Sequence, residues 1–233
     1  MSDVGARIIT ADVRLPDTAR TLEPIRLMRP ALKGGKPLAS GLRLRRTERE
    51  FSNRPLPPQL LSDLLWAACG INRRKGPFGA FGRTAASASN SQEVDVYVLR
   101  EEGAYLYDPV RHALAPVVAG DLRRLALGAR QGEAGADAPV RLVFVADIDK
   151  LEHTSGFEEP GLHDPEVQRS YYYVDAGLIA GNVYLFAASR GLAAWFHNCD
   201  RGALSSRLGL GDRLRPLFAQ TVGFSRAKES ARR

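Results

Sequence analysis

The chain has only two cysteines, Cys69 and Cys199, in 233 residues. One pair cannot staple a chain of this length, which excludes a disulfide framework and fits a reducing compartment. No apolar run reaches the roughly 20 residues that a membrane-crossing helix needs. The opening Met1-Ser2-Asp3-Val4 lacks the basic-then-apolar pattern of a secretory signal. These absences point to the cytoplasm and to no membrane partner. No Gly-x-Gly-x-x-Gly turn follows a strand, so the usual cradle for a dinucleotide pyrophosphate is missing. No internal repeat occurs, which excludes a solenoid. What the chain does have is length enough to bury a core without metals or disulfides, and no linker that divides it in two.

Charge is unevenly placed. Residues 1–60 carry a net +6 and residues 201–233 a net +6, whereas residues 61–200 carry −5. Basic ends raise the question of nucleic acid, but no aromatic–basic interleaving or DNA-binding helix pattern accompanies them. A solvated surface with a site for an anionic small molecule fits better, so no nucleic-acid partner is expected. Residues 1–40 hold Pro16, Pro24, Pro30, Pro37 and the Gly34-Gly35 pair and read as an extended arm, wrapping a partner or partly mobile. A single domain over 41–225 and a basic tail over 226–233 complete the organisation.

Within the domain, a first helix is expected over 41–49, capped by Ser40. Gln59 to Cys69 forms a helix with Leu60, Leu61, Leu64, Leu65 and Ala68 on one face, ended by Gly70, with Trp66 in the core. Val94 to Leu99 alternates as a strand, turns at Glu101-Glu102-Gly103 and returns through Ala104 to Tyr107. A short helix covers Asp121 to Leu127. Val140 to Ala146 is nearly continuously apolar and reads as a central strand. Asp147 to Pro165 reads as a long loop of the kind that forms lids. Asp175 to Arg190 is a helix apolar around its whole axis, hence buried centrally or against another subunit. Strands at 193–197 and 219–224 flank a helix capped by Asp200. Helices and strands mix without regular alternation, so the fold class is α+β.

Two local patterns carry chemistry. Arg45-Arg46-Thr47-Glu48-Arg49-Glu50-Phe51 sets three guanidinium groups around a hydroxyl, and guanidinium forks match phosphate oxygens in pairs. Ser87-Ala88-Ser89-Asn90-Ser91-Gln92 is a run of small polar residues that lets backbone approach a flat ring. Together they suggest a phosphorylated flat cofactor, with flavin mononucleotide (FMN) the first candidate.

Arg45 to Phe51 resembles the Arg-x-Ser/Thr-x-Arg/Lys-x-Phe signature that opens the FMN-dependent nitroreductase family. Leu64 to Arg73 is similar to the helix-plus-turn of its azoline-oxidase branch. Arg83-Thr84-Ala85-Ala86-Ser87-Ala88 resembles that branch's Arg-Thr-Ala-Pro-Ser-Ala, with Ala86 in place of Pro. Asp175-Ala176-Gly177 through Leu185 resembles the central helix, with Gly181 where Gln is common; Gly191-Leu192 and Val222-Gly223-Phe224 close the order. The likeness spans about residues 40–225, and its specificity lies in collinear order.

The resemblance implies a central, mostly antiparallel sheet flanked by helices, in an intertwined homodimer with FMN at the subunit interface. It implies that Arg45 and Thr47 serve the phosphate side and that Arg49 reaches the pyrimidine edge, with Arg46 also among the cofactor-binding residues. Ser87, Ala88, Ser89 and Asn90 would line the cofactor, with Asn90 on the ring edge and Gln92 at another matching position. Phe196, His197 and Asn198 would lie over one flavin face, His197 as the catalytic, substrate-side residue. The implied activity passes electrons from NAD(P)H through flavin N5 to a small acceptor such as a nitro compound or quinone. Alternatives are an azoline-type dehydrogenase on a modified peptide and a non-catalytic flavin-binding protein. His153 and His163, in an acidic stretch, lack metal-ligand spacing, so no metal is expected. Cys199 lacks partners for a nucleophile. Arg226, Lys228, Arg232 and Arg233 form either another phosphate contact or a tail.

Overall fold

The computed structural model describes residues 22–128, 131, 134–136, 138–157 and 163–227. In chain order, its elements are β1 (Ile25–Arg26), α1 (Leu38–Leu44), α2 (Pro58–Cys69), β2 (Ile71–Arg73), β3 (Gly82–Arg83), β4 (Val94–Leu99) and β5 (Gly103–Asp108). Then come β6 (Ala113–Ala119), β7 (Val140–Asp147), α3 (Ile148–Glu152), α4 (Pro165–Arg190), β8 (Ala193–His197), α5 (Arg201–Leu208) and β9 (Leu214–Gly223). Seven strands form one sheet in the order β1-β6-β5-β4-β7-β9-β8, every neighbouring pair antiparallel. The pair β2–β3 is a separate short ribbon.

Strand alternation divides the core. On β7, Leu142, Phe144 and Ala146 face a large cluster with α2 and α4, whereas Val143 and Val145 face Leu204 and Leu208 of α5. Both faces of β7 are therefore dry, which is why its sequence shows a continuous apolar run. The β4–β5 hairpin and β7 match the sequence reading. β6 was not expected, because Ala113, Ala115 and Pro116 weaken its strand signal. β9 begins at Leu214, ahead of the expected Ala219, with Pro216 inside it.

Local chemistry moved other boundaries. α1 is Leu38–Leu44 with Pro37 at its N-cap position, so Ser40 is no cap and residues 45–49 are not helical. Glu48 N instead donates to Ala194 O at 3.0 Å, which needs extended chain. The expected 147–165 loop contains α3, whose first turn is capped by the Asp147 carboxylate accepting from Asp149 N. The expected helix at 121–127 is a 3-10 turn at Arg123–Ala126. Trp66 is only half-buried, with its indole N–H donating to Ile71 O at 3.1 Å. Residues 1–21 of the expected arm lie outside the described residues. From Leu22 onward the arm is docked on its own chain: β1 pairs with β6, and Ala31 N donates to the Asp63 carboxylate at 2.8 Å.

α4 starts ten residues before the expected Asp175. Asp164 caps it by accepting from Glu166 N, and Gly191 ends it in the left-handed region at φ 73°. Its buried stripe is Tyr172, Asp175, Ala176, Ile179, Ala180, Val183 and Ala187. Val174 and Leu178 point out, 60 % and 44 % exposed. The helix expected to be apolar all round and buried thus has one face on the sheet and another left uncovered within the chain. Among the described residues no helix is long and apolar enough to cross a membrane.

On β8, His197 packs against Trp195 with ring centroids 4.4 Å apart, its Nδ1 on Asn198 O and its Nε2 on Thr221 Oγ1, both at 2.8 Å. Burial holds its pKa down to about 4, with the charge of Arg141 adding to the effect and Asn198 O opposing it. The ring is therefore neutral in the fold, while an unfolded chain protonates it below about pH 6.5. The unfolded state then binds more protons, so stability falls as pH drops from about 6.5 towards about 4. The loss reaches roughly 3 kcal/mol. His197→Gln should lower stability overall yet flatten this part of the profile, measured by urea unfolding across the window. An unchanged slope would remove the assignment.

Candidate functional site

The Arg45–Phe51 segment runs as extended chain past the edge strand β8 and the C-terminal half of α4. Tyr184 of α4 organises it. Phe196 N donates to the Tyr184 hydroxyl at 2.9 Å, and that hydroxyl lies 3.0 Å from Thr47 Oγ1. The amide can only donate, so the Tyr184 hydroxyl oxygen accepts there, while in its bond with Thr47 either hydroxyl can be the donor. Thr47 is exposed beside the arginines, and its hydroxyl can donate to an anion when Tyr184 supplies the hydrogen between them. Arg45 sits 5.5 Å from the Tyr184 ring centroid and Arg49 5.5 Å from that of Trp195. Contact through the face of a ring does not consume guanidinium N–H donors. Arg45, Arg46, Thr47 and Arg49 are all exposed, and Arg46 pairs with Glu48 at 3.4 Å. A cleft of about 380 Å³ opens beside them, lined by Lys36, Arg46, Glu48, Tyr184, Arg190 and Ala194 among others. Arg226 is brought to the same segment: Phe51 bridges to Ser225, and Arg226 Nε donates to Phe51 O at 3.2 Å. Lys228, Arg232 and Arg233 lie outside the described residues.

The Ser87–Gln92 loop is strained and firmly held. Ser89, Asn90 and Gln92 have φ of 47°, 56° and 53°, a left-handed region that costs a non-glycine residue about 1 kcal/mol or more. Four bonds hold the loop there. Ala88 N donates to Asp175 Oδ2 at 2.9 Å, Gln92 N to Ser87 Oγ at 3.0 Å, Ser89 Oγ to Gly156 O at 3.2 Å, and Arg83 Nε to Gln92 Oε1 at 2.6 Å. The Asn90 amide donates to both Pro77 O and Phe81 O at 3.2 Å. Both of its N–H hydrogens are spent on that turn, so in this conformation Asn90 has none to offer a ring edge. Gln92 braces Asn90, its Nε2 lying 2.9 Å from Asn90 Oδ1.

The two candidate clusters are not brought together within one chain. The cationic cluster is anchored at Tyr184 and the small-residue loop at Asp175, nine residues apart on α4, or about 13 Å along its axis. Along this stretch, from Val174 just before Asp175, the helix presents Val174, Gly177, Leu178 and Gly181 outward, and a Cβ added at either glycine would meet nothing within 4 Å.

The expectation for Phe196-His197-Asn198 needs correction. Phe196 faces the α4 side and packs on Phe218 at 4.8 Å and Phe144 at 6.1 Å. His197, one residue on, faces the opposite side. It is 6 % exposed with both nitrogens engaged, so it presents no group to a substrate. Asn198 is exposed and uses its carbonyl to hold the His197 ring. Sequence reasoning missed Tyr184, Lys36 and Arg190. Tyr184 read as one more apolar helix residue, and only its hydroxyl offered a different signal. No group of three or more His, Cys, Asp or Glu side chains among the described residues is placed to hold a metal.

Comparison with known proteins places this geometry. The family model described as Nitroreductase family matches residues 42–224. A protein of Methanocaldococcus jannaschii, assigned by name to the nitroreductases, is 30 % identical over 190 residues, covering 78 % of this chain and 81 % of that one. A Ralstonia eutropha crystal structure with the same assignment superposes with a TM-score of 0.74 at 35 % identity, covering 91 % and 92 % of the two chains. The E. coli microcin synthetase McbBCD complex, solved with truncated pro-MccB17 bound, shares the fold with a TM-score of 0.58 at 19 % identity, over 84 % of this chain and 76 % of that one. The chain belongs to the nitroreductase family, with that family's antiparallel sheet flanked by helices and its oxidoreductase character.

Proposed function

We propose that the protein is an FMN-dependent oxidoreductase, working as a homodimer, that takes electrons from NAD(P)H and passes them to a small organic acceptor such as a nitro compound or quinone. The observation that carries this reading is the placement of two half-sites at two levels of α4 with an uncovered apolar face between them. Pairing two copies antiparallel through that face, about the midpoint between Asp175 and Tyr184, sets the Arg45–Arg49 cluster of one chain opposite the Ser87–Asn90 loop of the other. Exposed Val174 and Leu178 supply the apolar area that such a contact buries.

The residues present fit FMN. Arg45, Arg46 and the exposed hydroxyl of Thr47 match a phosphate dianion, and one cationic cluster suits one phosphate better than a pyrophosphate. Arg49 places a cation where the ring's pyrimidine edge would lie, and Ser87, Ala88 and Ser89 bring small side chains and close backbone to its plane. Bound FMN supplies two-electron redox chemistry, with hydride exchange at N5. The chain's own groups then bind and orient it, and Arg49 favours the charge that grows on the ring as it is reduced. His197 has no proton-transfer role here, so solvent protonates the acceptor.

The second reading, an azoline-type dehydrogenase acting on a modified peptide, draws on the β2–β3 ribbon. Its exposed Arg73, Arg74, Lys75, Phe78 and Phe81 offer charge and apolar area to an extended chain. Assays with nitroaromatics and quinones against azoline peptides separate the two.

Purified protein should be yellow and release FMN on denaturation, read by chromatography of the supernatant; FAD or no flavin would refute the cofactor assignment. Arg45→Ala should weaken FMN binding by about 1.5–3 kcal/mol, the worth of a charge-assisted hydrogen bond. Arg49→Ala should chiefly slow flavin reduction in stopped-flow spectroscopy while leaving affinity closer to wild type. Equal affinity in Arg45→Ala would remove the phosphate role.

The dimer contact is tested on the outward face. Val183 is fully buried within its own chain, so Val183→Asp would disrupt the fold whether or not the protein pairs. Val174→Glu combined with Leu178→Glu should instead give a folded monomer with weakened flavin binding, followed by sedimentation and circular dichroism. A native protein that sediments as a fully flavinated monomer would overturn the model.

A further inference from the structure

Beneath the Ser87–Gln92 loop lies a group for which the proposed chemistry has no use. Glu93, the residue leading into β4, is fully buried. Its Oε2 accepts from Ser91 Oγ at 2.6 Å, while its Oε1 is buried without a hydrogen-bond donor. Asp175 of α4, itself 4 % exposed, lines the same small void as Glu93. Asp175 in turn accepts from Ala88 N at 2.9 Å. Two buried carboxyl groups on one void of this size cannot both be ionised without large repulsion, and a proton shared between them relieves it.

We propose that Glu93 and Asp175 share a proton and act as a positioning pair for the cofactor loop, so that FMN affinity falls when that proton is lost. The inference rests on the assignment of residues 87–90 to the flavin. With the proton on Glu93, its O–H donates to Asp175, which keeps its other oxygen on the Ala88 amide. Without it, the two carboxylates repel, Asp175 withdraws from Ala88, and a loop with three left-handed residues loses its anchor on α4.

The surroundings allow no easy substitute for the proton. The void beside the pair is only about 10 Å³, room for at most about one water molecule, which cannot hydrate a second charge. Arg83 lines the same void, but its Nε is engaged with Gln92 Oε1. Cys69, also on the void, is a neutral thiol, pushed up to about 11 by burial. On the strand side, Asp147 N donates to Glu93 O, and Asp147 and Asp95 carry further negative charge, answered by Lys150, which bonds Asp95 at 2.6 Å. Burial, then the Asp175 charge, raises Glu93 to about 7, and burial raises Asp175 as well. The proton is therefore held below about pH 7 and progressively lost above it. The sign follows: below the folded pKa the pair supports the loop, and above it the support is lost.

The test compares wild type with Glu93→Gln, whose amide keeps an acceptor for Ser91 and a permanent donor for Asp175. Three readouts are taken at about pH 6 and about pH 8.5, either side of the Glu93 value. Infrared spectroscopy of the flavin-free protein should show a protonated-carboxyl band at the lower pH, lost at the higher and missing in the variant. Amide-exchange protection of residues 88–92 should fall at the higher pH in wild type and persist in the variant. FMN affinity, by flavin fluorescence, should weaken roughly tenfold in wild type relative to the variant, the effect of displacing one proton by about one pH unit. Titration of the FMN phosphate itself is common to both and cancels. A second variant, Asp175→Asn, retains the acceptor for Ala88 and should also flatten the profile. A missing band in wild type, or equal pH dependence of protection in wild type and Glu93→Gln, overturns the pair. If wild type binds no FMN at any pH, the flavin reading fails and the effect on affinity falls with it, while the band and the protection still decide proton sharing. Normal FMN binding with identical pH dependence in both proteins overturns the coupling alone.

Discussion

The structure depends on one constraint: a 26-residue helix can bury only one side of itself on a sheet. Ala176, Ile179, Ala180, Val183 and Ala187 take the inner side of α4, and small residues there let the helix sit close to β8 and β9. That contact fixes everything the candidate site uses. Tyr184 and Asp175 project from the same rigid rod, so the spacing between the cationic segment and the small-residue loop is set by helix geometry, not by loop conformation. The outer side, with Val174, Leu178, Gly177 and Gly181, is left without intramolecular cover. A face of that composition is costly in water and gains by pairing.

How much of this was legible depended on whether the governing contact was local. The β4–β5 hairpin and β7 were readable, because alternation and a continuous apolar run report burial directly. β6 and the start of β9 were not, and proline is the reason in both. Pro116 faces Tyr105 beside the register shift in β5–β6, and Pro216 faces Val145 beside the shift in β7–β9. At a bulge the ladder is already interrupted, so a missing N–H costs little and the strand continues through a residue that normally ends it. The early end of α1 had a similar cause: Glu48 N is claimed by Ala194 O, a partner 146 positions away that no local pattern announces.

The site divides the same way. Arg45, Thr47, Arg49 and the Ser87–Asn90 run stood out as residue types at short spacing, and the fold gathers each into a local cluster anchored on α4. His197 was misread by strand parity. Consecutive residues of β8 face opposite sides, so Phe196 turns toward α4 while His197 joins Trp195 on the other face. One residue of register decides between a substrate-facing ring and a buried one, and sequence order over a cofactor does not reveal it. Glu93 was overlooked for the opposite reason: a lone acidic residue before a strand looks like an exposed turn until the partner on α4 is known.

Directionality in the hydrogen bonds ties the two ends of the site together. At the Arg45–Arg49 segment a backbone amide of β8 donates to the Tyr184 hydroxyl, which shares a hydrogen bond with Thr47. At the ring end the order runs inward, from the Ala88 amide to Asp175 and from the Ser91 hydroxyl to Glu93, ending in a buried acid pair that needs a proton to close. The first set contains no carboxyl group. The second has a member whose charge state alters the loop above it. A cofactor spanning both would therefore keep its phosphate anchorage while the grip on its ring varies, and in an antiparallel pair those two grips belong to different subunits.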